Sequence, residues 1–186
     1  MGLQPHEFGA LRFGGFCPGT MPSALDGVFF LGGSMKLSAA GLDLIKKSEG
    51  FRSKTYLDMA GLPTIGYGHR LVHPECYPDG ICETQADVIL LWDVHEAEKA
   101  VASLVKVQLT QGQFDALVDF TFNLGSGRLA PSTLLQDLNA GKYDAAASEL
   151  MRWDHSGEQE VASLKARREA EFRLWTNAAV QQQAAA

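Results

Sequence analysis

The chain has 186 residues, of which 46% are hydrophobic, and a formal net charge of −6. This length and hydrophobic content predict a globular protein with one sizeable core. No run reaches the roughly 18 apolar residues of a membrane-crossing helix, so we expect no stable membrane span. The acidic balance argues against a nucleic-acid partner, because proteins that bind nucleic acids carry a basic patch or stripe.

Residues 1–34 are rich in glycine and show no helical or strand periodicity. Their one short apolar run, at 28–31, follows Asp26 and is shorter than the roughly 7 to 15 apolar positions of a secretory signal. We therefore expect a poorly structured leader, whose origin as an upstream translation, an added segment or an anchor stays open. The folded domain is expected at 35–178, followed by a frayed tail at 179–186.

Two carboxyl residues and a hydroxyl residue follow one another closely, from the end of the first predicted helix onward. Glu49 and Asp58 are nine positions apart, and Thr64 follows six positions later. Nine extended residues would span about 30 Å, whereas two carboxyl groups that act on one glycosidic bond lie roughly 5 to 9.5 Å apart. The chain must therefore fold back between Glu49 and Asp58 if the two act together.

The residues around this interval predict a helix followed by a hairpin. Ser38 can cap a helix that ends near Glu49, and Gly50 can terminate it. Residues 52–57 and 62–67 contain strand-forming types, and the tetrapeptide between them begins with Asp58 and ends with glycine, as a tight turn requires. Glu49 is thus expected at the helix end and Asp58 at the turn.

The interval Glu-x8-Asp-x5-Thr, followed by Ile-Gly-Tyr-Gly-His at 65–69, resembles the phage-type lysozymes, the endolysins of the T4 and lambdoid-phage group. The resemblance covers about residues 37–175. It implies an α+β, mainly helical, lysozyme-like fold, in which a long helix joins a small hairpin lobe to a larger helical lobe. It also implies a monomeric muramidase without a cofactor or metal, which cleaves the β-1,4 bond between N-acetylmuramic acid and N-acetylglucosamine in peptidoglycan.

The resemblance also implies roles for single residues. Glu49 corresponds to the general acid, while Asp58 and Thr64 correspond to the residues that position or activate the attacking water. His69 and Asp93 are expected to form an ion pair that braces the small lobe. The implied substrate contacts are Asn123, Gly66 and Arg168, and either Arg167 or Arg168 could act on Glu49 or on a substrate oxygen. Such an endolysin waits in the host bacterial cytoplasm and acts on the cell wall in the periplasm once the membrane is opened.

The segment after His69 carries a second set of reactive side chains. His69, His73, Cys76 and Cys82 are ligand types that zinc accepts, but their spacing matches no compact zinc motif. A structural zinc would favour a binding module over an enzyme. Cys76 and Cys82 could instead form a short disulfide or remain reduced, and the sequence leaves both possibilities open.

Helical patterns fill the rest of the chain. Thr84 begins a sequence similar to a capping box, ahead of a long helix that extends to about Lys106. Thr110 and Ser132 are predicted caps of two further helices, the first apolar on most sides. Further helices are expected at 144–151 and 161–175, with a loop at 152–157 between them.

Two alternatives remain beside the muramidase hypothesis. The same fold could serve as a non-catalytic module that binds the cell wall or a protein partner, or the enzyme could act on chitin or chitosan. The acidic charge also requires a local basic face for attraction to an anionic cell wall. The candidates for that face are Lys165, Arg167, Arg168 and Arg173.

Overall fold

The computed structural model describes residues 35–58, 60–73, 75–157 and 159–183. The predicted leader at 1–34 and the last three residues lie outside this part of the chain. Within it, the fold comprises seven helices and five short strands. In chain order these are α1 (Ala39–Glu49), β1 (Arg52–Leu57), β2 (Pro63–Gly66), β3 (His69–Arg70), α2 (Glu83–Leu104), α3 (Gln111–Leu124), α4 (Ser126–Leu129), α5 (Thr133–Asn139), α6 (Tyr143–Leu150), β4 (His155–Ser156), β5 (Gln159–Glu160) and α7 (Ala162–Gln183).

The predicted helix and hairpin at the start of the domain are confirmed. The Ser38 side chain accepts a hydrogen bond from the backbone of Gly41 and so caps α1, which ends at Glu49. Gly50 follows with φ +71°, a conformation that glycine adopts without a Cβ penalty. Strands β1, β2 and β3 then form an antiparallel sheet in that order. This sheet and α1 place Glu49 and Asp58 at the two ends of the first strand.

The irregular segment between β3 and α2 is fixed to the edge of β1. The backbone of Ile81 donates to the carbonyl of Ser53 at 2.8 Å. A Cβ on Gly80 would lie only 2.4 Å from the same carbonyl, and Gly80 has φ +83°. Glycine is therefore required where this segment crosses the strand.

The long helix α2 confirms the predicted link between the lobes, but its capping residue differs from the prediction. The helix begins after Cys82, whose backbone N–H donates to the Gln85 side chain at 2.9 Å. Thr84 lies inside the first turn, and Asp87 forms an ion pair with Lys46 at 2.8 Å. The predicted cap at Thr84 is therefore wrong. The capping box is formed by Cys82 and Gln85, and its first residue is a cysteine where serine or threonine is usual.

Helix α3 lies at the centre of the larger lobe. Thr110 caps it as predicted, and every residue from Gly112 to Thr121 is buried. The helix packs on α1, α2 and α7, with its largest contact against α7. Ser132 caps α5, and α6 matches its predicted position to within one residue at each end. The segment predicted as a loop at 152–157 instead contributes to a small two-stranded hairpin, β4 and β5.

The last helix continues beyond the predicted end at Trp175. Its backbone is helical to Gln183, so the expected fraying from 179 stays a prediction. Among the helices in the described part of the chain, none combines the length and the hydropathy that a bilayer crossing needs.

Candidate active site

Glu49 lies at the junction of α1, the hairpin sheet and α7. One quarter of its side chain is exposed. Its Oε1 atom accepts a hydrogen bond from Arg167 Nη1 at 2.8 Å. Its Oε2 atom faces the β2–β3 turn, where a Cβ on Gly68 would lie 3.6 Å away. One carboxylate oxygen is thus anchored to the larger lobe, while the other faces the small lobe.

Asp58 occupies the hairpin turn, and its carboxylate organises that turn. Oδ1 accepts the backbone N–H groups of Ala60 at 2.8 Å and Leu62 at 2.9 Å, and Oδ2 accepts Arg70 Nε at 3.1 Å. The hydrogen bond from the Leu62 backbone, followed by that from Ala60 and the charge of Arg70, lowers the pKa of Asp58 below its ordinary value. Asp58 is therefore an ionised carboxylate at neutral pH.

Thr64 lies on β2 near the same turn. It is 2% exposed, and its hydroxyl donates to the Leu62 carbonyl at 3.0 Å. Its position in the sheet is opposite Tyr56 on one side and Arg70 on the other. Because its proton is used in this hydrogen bond, the Thr64 oxygen can act toward a water molecule only as an acceptor.

Beside Glu49, the structure adds a buried ion pair between Arg167 and Asp119 that the sequence did not indicate. Arg167 on α7 donates from Nε and Nη2 to the two oxygens of Asp119 on α3, both at 2.9 Å. The side chains of Arg167 and Asp119 are 5% and 0% exposed. Burial alone would lower the pKa of Arg167, but the hydrogen bonds and charges of Asp119 and Glu49 raise it above its ordinary value. Arg167 is therefore a permanent cation that contacts two carboxyl groups.

Arg168 lies in a second buried pair, away from the surface. Its Nη2 donates to Glu171 Oε1 at 2.6 Å and to Asn123 Oδ1 at 3.1 Å, and its guanidinium lies over the ring of Phe120 at 5.1 Å. Burial lowers the pKa of Arg168. Burial, together with the neighbouring Asp119, raises the pKa of Glu171 well above its ordinary value. This pair connects α7 to the end of α3.

Comparison with known proteins identifies the family. The model of the phage lysozyme family matches residues 46–171. The chain belongs to this family. It is 46% identical to an endolysin of Bacillus phage B103 over 145 residues, which are 76% of this chain and 54% of that endolysin. It is 38% identical to the endolysin of Salmonella phage P22 over 137 residues, which are 72% of this chain and 94% of that protein.

A solved structure gives the same result for the fold. The muramidase domain of SpmX from Asticaccaulis excentricus aligns with a TM-score of 0.69 and 35% identity, over 75% of this chain and 97% of that domain. This phage-type lysozyme spans about half the length of the B103 relative and nearly all of the P22 relative. The predicted family, lysozyme-like fold and glycoside hydrolase class are confirmed.

The three implied substrate contacts lie in different environments. Arg168 is 0% exposed and cannot reach a substrate in this structure, so its assignment as a substrate contact is wrong. Gly66 is buried, and a Cβ there would lie 3.3 Å from both Ala86 and Ile81, so it packs against α2. Asn123 is partly exposed, with its amide oxygen bonded to Arg168. Only Asn123 keeps some exposed surface.

His69 lies between two carboxylates in the small lobe. Its Nδ1 is 2.9 Å from Asp93 Oδ2 on α2, and its Nε2 is 3.3 Å from Glu75 Oε2. Glu75 also accepts the backbone N–H of Val72. The hydrogen bond with Asp93, opposed by burial and reinforced by Glu75, raises the pKa of His69 above its ordinary value. A charged His69 therefore ties β3 and the following loop to α2.

We expect this ion pair to stabilise the fold only where His69 is protonated. Because the pKa of His69 is raised on folding, its contribution is complete below its unfolded value of about 6.5 and is lost as pH rises through the folded value. Asp93→Asn should lower the free energy of unfolding by about 1–2 kcal/mol at pH 5.5, since Asp93 is partly exposed. The difference from wild type should shrink at alkaline pH. Urea unfolding across pH measures it.

A matched variant controls for the general effect of removing a negative charge. Asp144 is an exposed residue in the first turn of α6. Asp144→Asn should give a difference from wild type that does not change between pH 5.5 and alkaline pH. A constant difference for Asp93→Asn as well would show that His69 does not couple to Asp93.

The four candidate zinc ligands do not come together. His69 is bonded to Asp93 and Glu75, whereas His73 and Cys76 line a cavity of about 560 Å³ on the small lobe, and Cys82 precedes α2. Across the described ranges, no group of three His, Cys, Asp or Glu residues could hold a metal ion. Cys76 and Cys82 are not joined to each other by a disulfide. Cys17 lies outside the described residues.

For two of the four candidates, the expectation of a basic face is wrong. Arg167 and Arg168 are buried and paired with carboxylates, so neither presents its charge to solvent. Lys165 and Arg173 lie at the surface, but each is paired with an acidic neighbour, at 3.0 and 3.5 Å. The periodicity of α7 did not indicate that two adjacent arginines face the interior.

Proposed function

We propose that this phage-type lysozyme hydrolyses the β-1,4 bond between N-acetylmuramic acid and N-acetylglucosamine in the glycan strands of peptidoglycan. The observation that carries the proposal is the contrast between its two carboxyl groups. Glu49 is partly buried between two lobes, with one oxygen anchored by Arg167. Asp58 is held as an ionised carboxylate by backbone N–H groups in a turn. Carboxyls in such different environments suit separate acid and base roles.

In the proposed reaction, Glu49 acts as the general acid. Its carboxylic acid donates a proton to the glycosidic oxygen, and the bond between that oxygen and the anomeric carbon breaks. Positive charge develops on the sugar ring, and the Asp58 carboxylate stabilises it and takes a proton from the attacking water. Thr64 accepts a hydrogen bond from that water. The water oxygen joins the anomeric carbon, and each new chain end carries a hydroxyl.

The anchored geometry gives Glu49 its orientation. Because Oε1 is bonded to Arg167, Oε2 is the oxygen that can carry the proton toward the substrate. Gly68 leaves space beside Oε2, since a side chain there would contact that oxygen. We propose that the sugar approaches over this turn, with Asn123 as a contact on the larger lobe. The enzyme would act on the cell wall in the periplasm as a monomer, after waiting in the host cytoplasm.

Product analysis with isotopic water tests this reaction. Purified peptidoglycan is incubated with the enzyme in ¹⁸O-water, and the released fragments are measured by mass spectrometry. We expect fragments that end in a reducing N-acetylmuramic acid with one ¹⁸O atom. Anhydro ends would indicate cleavage without water, and reducing N-acetylglucosamine ends would indicate the other glycosidic bond. Faster cleavage of chitin oligomers would contradict the proposed substrate, and tight binding without products would indicate a binding module.

The role of Asp58 is tested by removing its charge. We expect Asp58→Asn to reduce the rate of fragment release by about 10²- to 10⁴-fold, because an amide can neither accept the proton of water nor stabilise positive charge. Asp79, an exposed aspartate of the same lobe, provides the control. Asp79→Asn should leave the rate unchanged. Equal rates for Asp58→Asn and wild type would remove Asp58 from the mechanism.

A further inference from the structure

Asp119 is a buried carboxylate that the proposed reaction does not use. It lies in the middle of α3 and is fully buried. Its two oxygens accept two N–H groups of Arg167, which fixes the plane of the guanidinium. Only Nη1 of that group reaches Glu49. A continuous path therefore extends from α3 through Arg167 on α7 to the proposed acid at the end of α1.

We propose that Asp119 is a positioning residue for Glu49, which orients the acid through Arg167 and offsets the charge of that arginine. The inference rests on the proposed function, since it concerns the group that would protonate the substrate. Without Asp119, Arg167 would be free to turn both of its terminal nitrogens toward Glu49. Arg167 could then contact both oxygens of Glu49, and Oε2 would no longer be available to the substrate.

The pairing of Asp119 with Arg167 also affects the electrostatic environment of Glu49. A guanidinium at hydrogen-bond distance stabilises a carboxylate over a carboxylic acid. A general acid must nevertheless be protonated in the working pH range. Asp119 forms two hydrogen bonds with Arg167, whereas Glu49 forms one. The negative charge of Asp119 thus reduces the attraction that would otherwise favour ionised Glu49.

Other charged groups near Glu49 are already paired or exposed. On α1, Lys46 pairs with Asp87, and Lys47 is exposed. In the β2–β3 turn, burial raises the pKa of the Tyr67 hydroxyl, so it stays neutral. On α7, Arg168 pairs with Glu171, whose carboxyl is kept neutral to a higher pH by burial and by Asp119. Among these cations, Arg167 is the one that contacts Glu49 directly, so its charge acts most strongly on that carboxyl group.

The test compares pH profiles of Asp119→Asn and wild type on soluble peptidoglycan fragments. Removal of the negative charge at Asp119 leaves the Glu49 carboxyl as the acidic group that Arg167 still contacts at 2.8 Å. We expect the alkaline limb of kcat/KM to move down by about one pH unit, which lowers activity on that limb by about tenfold. KM should be unchanged, because Asp119 does not contact the substrate. Asp119→Ser, with a smaller neutral side chain, should give the same shift if Asp119→Asn does not fold.

Two further variants separate positioning from a structural role. Asp119→Glu keeps the charge and should retain the position of the alkaline limb even if its Tm falls. Asp115 lies one turn earlier on α3, is 2% exposed and bonds Ser38 and Gln111 but not Arg167. Asp115→Asn should lower Tm and leave the pH profile unchanged.

The outcomes distinguish this inference from the proposed function. If wild type releases no reducing ends, the proposed function is wrong. If wild type is active and Glu49→Gln is inactive, but Asp119→Asn and Asp119→Ser both follow the wild-type pH profile, only the role of Asp119 is wrong. A matching shift in Asp115→Asn would also overturn it, since the effect would then follow from the loss of any buried aspartate in α3.

Discussion

Glu49→Gln should reduce peptidoglycan cleavage by about 10²- to 10⁴-fold, the range that positioned acid catalysis contributes. The amide has the same shape and can still accept a hydrogen bond from Arg167, but it cannot donate a proton to the leaving oxygen. Arg167 keeps both of its bonds to Asp119. We therefore expect Tm to change by less than about 4 °C. The measurements are release of reducing ends and thermal unfolding.

The control for this variant is the same chemical change at another arginine-paired glutamate. Glu149 on α6 pairs with Arg152 at 3.0 Å, and its side chain is 20% exposed. Glu149→Gln should keep wild-type activity. Sedimentation with insoluble peptidoglycan should show that Glu49→Gln still binds the wall, which separates lost catalysis from lost binding. Wild-type rates in Glu49→Gln would end the assignment of Glu49 as the acid.

The parts of the fold that local sequence determines were predicted closely. Ser38, Thr110 and Ser132 were identified as helix caps because a cap depends on hydrogen bonds within three residues. The hairpin was predicted for a similar reason, since its turn depends on four consecutive residues. Because Glu49 ends the first helix and Asp58 begins the hairpin turn, both residues could be placed from this local structure.

The pairing of Arg167 with Asp119 was not predicted, and Arg167 was not distinguished from Arg168 as the partner of Glu49, because these residues meet only in the tertiary structure. Arg167 and Glu49 are 118 positions apart, and Arg167 and Asp119 are 48 apart. Adjacent residues of a helix differ by about 100° in direction, so the sequence alone does not tell which of Arg167 and Arg168 faces Glu49. One signal was available: Asp119 lies inside a helix that is apolar on most sides, where an aspartate requires a partner.

Arg167→Met should lower the free energy of unfolding by about 3–5 kcal/mol, the cost of leaving a buried charge without its partner. Asp119 is fully buried, and Arg167 donates a hydrogen bond to each of its two carboxylate oxygens. For a chain of this size, Tm should fall by roughly 6–20 °C. Chemical unfolding at neutral pH measures the loss. A loss below about 1 kcal/mol would mean that Asp119 is satisfied in another way.

A surface arginine and a double variant complete this test. Arg173 pairs with Glu169 on the exposed face of α7, and its side chain is 73% exposed. Arg173→Met should cost less than about 1 kcal/mol. Arg167→Met combined with Asp119→Leu should recover part of the stability, because the orphaned charge is removed. If Glu49 depends on Arg167 for its orientation, that double variant should be stable but inactive near neutral pH. The guanidinium that donates to Glu49 Oε1 is then missing, so the acid is no longer held in place.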